Sequence, residues 1–113
     1  MAPQGQAVGS DPGYSVAGAT SGLCIVFVHG IRMNRGMWAP QMDALSDEFQ
    51  VVAVDLPGHG LYREQEFSLE AACERLAEVI DEVARGRALV VGLSMGGFVC
   101  MDFIGRYPQK AIG

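Results

Sequence analysis

The residues with the clearest chemical potential lie in one short stretch, Gly92-Leu93-Ser94-Met95-Gly96-Gly97. A serine hydroxyl is a weak nucleophile unless a general base takes its proton and fixed donors stabilise the oxyanion it creates. The flanks favour that use. Residues 88–91 (Ala-Leu-Val-Val) are apolar and partly β-branched, with the length of a buried strand, and residues 98–107 are apolar almost all round and long enough for a helix. A strand that reverses sharply into a helix forces its apex residue into a sparsely allowed conformation. Small residues two before and two after the apex, here Gly92 and Gly96, let the segments pass closely. The apex Oγ then points out of the fold, beside the free N–H groups and positive dipole end of the helix. Gly-x-Ser-x-Gly also arises by chance in flexible loops; the strand before it and the helix after it decide for Ser94 as the candidate nucleophile.

The other polar residues suggest less chemistry. His29 and His59 lie in Gly-rich loops and share no ligand spacing, so no metal site is expected. Cys24, Cys73 and Cys100 sit far apart in apolar surroundings, and an odd count without metal spacing suggests reduced, buried thiols and a cytoplasmic location. No phosphate-binding Gly-rich motif is present, and nothing asks for a nucleotide or prosthetic group, so no cofactor is expected. A net charge of −5 over 113 residues leaves no basic face for a nucleic-acid partner. No apolar run approaches the roughly 20 residues of a membrane helix. Residues 1–22 hold no Lys or Arg and no apolar block, which is unlike a signal peptide.

The elements that must position these residues alternate. Residues 1–22, rich in Gly, Ser, Ala and Pro, read as a flexible leader, within which 14–17 is the stretch able to pair as a short edge strand. Residues 23–28 form a continuous apolar run, as a strand buried on both faces should. A loop follows, then a helix over 37–49 with Pro40 in its first turn and Trp38, Met42, Leu45 and Phe49 on one side. Residues 50–54 are a second buried strand, leading into a loop of turn formers, Asp55-Leu56-Pro57-Gly58-His59-Gly60. Ser68 can cap the next helix, whose apolar stripe is Leu69, Ala72, Cys73, Leu76, Val79, Ile80 and Val83. Its other face, Glu70, Glu74, Arg75, Glu78 and Asp81, reads as solvated surface. The strand at 88–91, the serine turn and the last helix complete the chain, with a further strand beginning near 111–113. Strand–helix alternation of this kind implies an α/β fold, a parallel sheet with helices on both faces and right-handed crossovers, and every candidate loop falls at the C-terminal end of a strand.

Three motifs in this order, Phe27-Val28-His29-Gly30, Asp55-Leu56-Pro57-Gly58-His59-Gly60 and Gly92-Leu93-Ser94-Met95-Gly96-Gly97, resemble the α/β-hydrolase superfamily, and Trp38 fits its small esterase-like and lyase-like members. The resemblance covers roughly residues 23–110, within a unit spanning 23–113. It implies Ser94 as nucleophile and the backbone N–H groups of Met95 and Ile31 as the oxyanion hole. It makes His29, Gly30, Asp55 and His59 supporting loop residues, not catalytic ones. A Ser where some members carry an Asp argues against a haloalkane dehalogenase or epoxide hydrolase. Leu61 and Tyr62 stand where the family often has Ser or Thr. The family order is Ser, then Asp or Glu, then His. No His follows Ser94, and the only later acid, Asp102, lies on the helix directly after it. The resemblance therefore implies the N-terminal half of the fold, with about three core strands and three helices, and an acid and a His supplied from beyond residue 113.

The expected function is hydrolysis of a small ester, thioester or amide through an acyl-enzyme, with Trp38, Met33 and Met95 placed to line an acyl pocket. The alternatives are a truncated, inactive fragment or interaction module, and a cofactor-free peroxidase or lyase on the same scaffold. The expected partner is a small acyl substrate, with self-association or a partner chain at the open sheet edge of the 88–91 strand.

Overall fold

The structure, a computed structural model, describes residues 10–113; the first part of the expected leader, residues 1–9, lies outside the described residues. Four strands form one sheet: β1 (Tyr14–Ala17), β2 (Cys24–Val28), β3 (Gln50–Val54) and β4 (Leu89–Gly92). Their order is β1-β3-β2-β4. β2 pairs in parallel with both β3 and β4, and β1 pairs antiparallel with β3, Tyr14 opposite Val54. Tyr14–Ala17, inside the expected leader, is thus the edge strand of the sheet. Asp55 N–H donates to Gly13 O (2.9 Å), which carries the pairing into the loop after β3.

Every residue of β2 and β3 is buried, because each face of the sheet is covered. Cys24, Val26, Val28, Val52, Val54 and Val90 point to one side, where they pack against α2 (Leu69–Val83) and α3 (Met95–Arg106). Ile25, Phe27, Val51 and Ala53 point to the other, where Trp38 and Met42 of the first helical segment cover them. The period-2 alternation of the strands thus divides one core into two layers.

The first helical segment is shorter than expected. Residues 37–49 read as one helix, yet a 3-10 turn occupies Arg35–Trp38 and α1 covers only Ala39–Leu45. Asn34 caps the turn by accepting from Gly36 N–H (2.8 Å), and Pro40 at the start of α1 has no N–H to continue the turn's bonds backward. The last helix begins earlier than the apolar run, at Met95, because the Gly96-Gly97 turn is packed into the sheet.

α2 starts where its cap places it: Ser68 Oγ accepts from Ala71 N–H (3.0 Å). Its polar face is more than solvated surface. The Arg75 guanidinium lies over the Tyr62 ring (4.9 Å to the centroid) and donates to Pro12 O, while Asp81 pairs with Lys110 (2.6 Å). Arg75 reaches these groups because its long stem spans the gap between α2 and the segment before β1.

Residues 110–113 run along the outer edge of β4. Ala88 N–H donates to Lys110 O (3.0 Å), Ile112 N–H to Ala88 O (2.8 Å) and Val90 N–H to Gly113 O (3.0 Å), around a parallel bridge between Ala88 and Ala111. The edge expected to be open is therefore occupied along Ala88–Val90. No helix among the described residues is long and apolar enough to cross a membrane.

Leu76 is fully buried between α2 and the sheet. Leu76→Ala should lower the unfolding free energy by about 2–5 kcal/mol, the range for a cavity of this kind, in urea denaturation.

Candidate active site

The Gly-x-Ser-x-Gly segment joins β4 to α3, and its apex is Ser94. Ser94 has φ 54° and ψ −118°, one of three non-glycine residues with positive φ among those described. A side-chain-bearing residue holds this conformation only where its surroundings over-determine it. Leu93 N–H donates to Val28 O (3.2 Å), tying the turn to the end of β2. Gly96 N–H donates to Leu93 O and Gly97 N–H to Ser94 O, both at 2.8 Å, closing the first turn of α3. A β carbon at Gly92 would strike the Gly96 carbonyl, and one at Gly96 would strike Val28 O and His29 O. Both glycines are therefore required by close backbone approach.

Ser94 is exposed, and its side chain caps no helix N–H. The loop after β2 passes beside it: a β carbon on Gly30 would stand 3.7 Å from Ser94 Cβ. Met33 N–H donates to Gly30 O (3.2 Å), turning this loop so that Ile31 sits at its crest. Among the described residues, the N–H groups of Ile31 and Met95 donate to no protein acceptor. The Met95 N–H is therefore free next to Ser94 at the positive end of a twelve-residue helix, and the Ile31 N–H is free on the neighbouring loop; free donors at a helix N-terminus favour negative charge.

His29 and His59 are brought near this turn but not to it. His29 is fully buried. Its Nε2 accepts from Leu56 N–H (3.1 Å), so the proton is on Nδ1, which donates to Gly30 O (2.8 Å). Burial lowers its pKa from 6.5, against an opposing contribution from the Gly30 hydrogen bond. With both nitrogens used, His29 joins the loop after β2 to the loop after β3. His59 is buried too, 4.9 Å from the His29 ring and edge-on to Phe67, with Nδ1 3.1 Å from Pro57 O.

Asp55 organises the same loops. Its carboxylate accepts from Arg35 N–H (2.8 Å) and Leu61 N–H (3.0 Å), and the Arg35 guanidinium lies 3.7 Å away. Gly60, at φ 56°, lies directly over the carboxylate, where a β carbon would collide with it. Arg35 is the residue that the sequence did not single out here. It stands twenty positions from Asp55, and no local pattern marks that pairing.

Of the residues placed to line an acyl pocket, Trp38 is core instead. It stacks on Phe27 (4.8 Å between centroids) and is buried, because the 3-10 turn that ends at Trp38 packs against that face of the sheet. Met95 packs partly into the α3 side of the core, and Met33 is exposed on the loop after β2. Asp102 is bound to Arg106 (2.9 Å) and accepts from the Cys73 thiol (3.6 Å), whose pKa burial pushes up to about 12. Two surface concavities, about 310 and 500 Å³, adjoin the 57–65 region, and Ser94 lines neither.

Residues 25–112 match the model of the alpha/beta hydrolase family. The chain is 39% identical over 91 residues to a 2-(acetamidomethylene)succinate hydrolase of Mesorhizobium japonicum, covering 79% of this chain and 33% of that protein. It is 44% identical over 78 residues to a pimeloyl-[acyl-carrier protein] methyl ester esterase of Vibrio cholerae, covering 69% of this chain and 29% of that one. Among solved structures it is similar to a thermophilic esterase of Thermogutta terrifontis, with a TM-score of 0.76 and 32% identity over 91% of this chain and 40% of the other. The chain thus spans about a third of the length of the curated relatives it matches.

The His29 clamp gives the site a pH signature. Its folded pKa lies below 6.5, so the unfolded chain binds the extra proton first as pH falls. This contribution to stability is complete above pH 6.5 and is lost as pH drops from there toward the folded value. Denaturant unfolding followed from about pH 8 to about pH 5 should show that decline, and His29→Asn, less stable throughout, should lack the His29 component. Gly96→Ala should destabilise the protein by more than the ~1 kcal/mol scale of ordinary substitutions, since the added carbon meets backbone; thermal unfolding measures it.

Proposed function

The chain belongs to the alpha/beta hydrolase family, and on that footing we propose that Ser94 is the nucleophile of a serine hydrolase acting on small ester, thioester or amide-type acyl substrates. The observation that carries the reading is an exposed Ser94 held at φ 54° at the start of α3, with the loop after β2 beside it and the N–H groups of Met95 and Ile31 unengaged. Ser94 Oγ attacks the substrate carbonyl while its proton passes to a general base. The tetrahedral oxygen accepts from Ile31 and Met95 N–H. Collapse expels the alcohol, thiol or amine, which takes the proton, and water later releases the acid from the acyl-serine. Strain at the apex and packing of both glycines fix the Ser94 backbone before substrate arrives, so less ordering remains for the reaction to supply.

The base is not among the described residues. His29 has no free nitrogen, and His59 lies buried between His29 and Phe67. Asp102 faces Arg106 and Cys73 on α3. We assign the acid and the His to sequence beyond residue 113. The two curated relatives, a hydrolase and a methyl ester esterase by name, support acyl hydrolysis as the class.

A fluorophosphonate should add once to the chain, at Ser94, and added imidazole should accelerate the labelling by standing in for the base. Intact-mass analysis of wild type and Ser94→Ala reads both. Equal labelling of Ser94→Ala, or no adduct even with imidazole, would overturn the assignment.

A further inference from the structure

We infer that Arg32 and Arg63 form a subsite for a carboxylate carried on the substrate, beside the oxyanion loop. This rests on the reading of Ser94 and Ile31 given above and adds the substrate class to it. The concavity of about 500 Å³ is lined by Arg32, Met33, Asn34, Gly58, His59, Gly60 and Arg63. Two guanidinium-bearing residues line it and no carboxylate does, in a chain whose net charge is −5. Arg35, Arg75, Arg106 and Lys110 are each paired with an acid. Arg32 and Arg63 enter no such pair among the described residues; Arg63 makes one long bond, to Gly60 O (3.3 Å). Asp55, beneath Gly60, is already engaged by Arg35 and two backbone N–H groups.

The position relative to the chemistry is set by the chain. Arg32 directly follows Ile31, the proposed oxyanion donor, and a β carbon built on Gly30 would stand 3.3 Å from Met33 Sδ and 3.7 Å from Ser94 Cβ, so the concavity's Met33 and the serine lie on either side of Gly30. Arg32 is also held at φ 64°, a conformation that favours glycine. The Gly30–Met33 turn imposes this and presents the residue to the concavity. Planar guanidinium forks match a carboxylate in two-point geometry. The substrate class this arrangement points to is an acyl ester with an acidic far end, such as a monoester of a short dicarboxylic acid.

The test is a heteronuclear NMR titration of the 113-residue chain with monomethyl glutarate and with methyl butyrate. Monomethyl glutarate should bind saturably and shift Arg32 and Arg63 resonances, with affinity about tenfold or more above that of the neutral ester. Arg32→Ala with Arg63→Ala should abolish the preference, while Arg85→Ala with Arg87→Ala should retain it. No preference in the wild type, or a preference unchanged in the Arg32/Arg63 variant, overturns the subsite. Because the titration reads binding without turnover, a failure of Ser94 labelling leaves its outcome readable. Loss of the preference, in turn, leaves Ser94 labelling intact.

Discussion

The structure depends on a passage that admits no side chain. Where β4 gives way to α3, the first helical turn runs against the ends of β2 and β4, and no β carbon fits at residue 92 or 96. That approach holds Ser94 at positive φ: the turn is tied to Val28 by Leu93 N–H and to itself by the bonds of Gly96 and Gly97. Strain at one residue is tolerated because the surrounding core, with Val99 and Phe103 fully buried, fixes the helix that follows.

Around that passage, buried polar groups take over from apolar packing. The loops after β2 and β3 cannot bury their backbone groups in a ladder, so side chains satisfy them. His29 bonds one loop through each ring nitrogen, and Asp55 gathers Arg35 and Leu61. A buried, unpaired carboxylate would cost far more than the exposed ion pairs elsewhere contribute. The Arg35 pairing and two N–H donors are what make Asp55 tolerable, and both loops are thereby fixed beside the serine turn.

α3 shows a second consequence of the fold. It buries Val99, Cys100 and Phe103 against the sheet, yet Phe98, Met101 and Ile104 are exposed on its other side. Large apolar side chains all round are characteristic of a helix covered on every face. The chain covers about a third of its curated relatives' length, and this helix lies beside the edge where residues 110–113 join β4.

The sequence by itself determined the α/β architecture, the burial of β2 and β3, the Ser68 cap and the serine turn, because each is written in local residue order. Apolar runs bury strands, a hydroxyl caps the next N–H, and glycines two either side of a serine permit a sharp turn. The limits of the first helical segment were less legible, since Asn34 and Pro40 broke it in a way the apolar stripe did not show. Trp38 illustrates the same limit. Its place after the first loop suited a pocket, and only the stacking of the 3-10 turn's Trp38 on Phe27 made it core. Tertiary structure alone decided what His29, Asp55, Arg35 and Arg75 hold. Each has a distant partner, Leu56 for His29, Arg35 for Asp55 and Pro12 for Arg75, at separations of 27, 20 and 63 positions that only the parallel crossovers and the antiparallel β1 close.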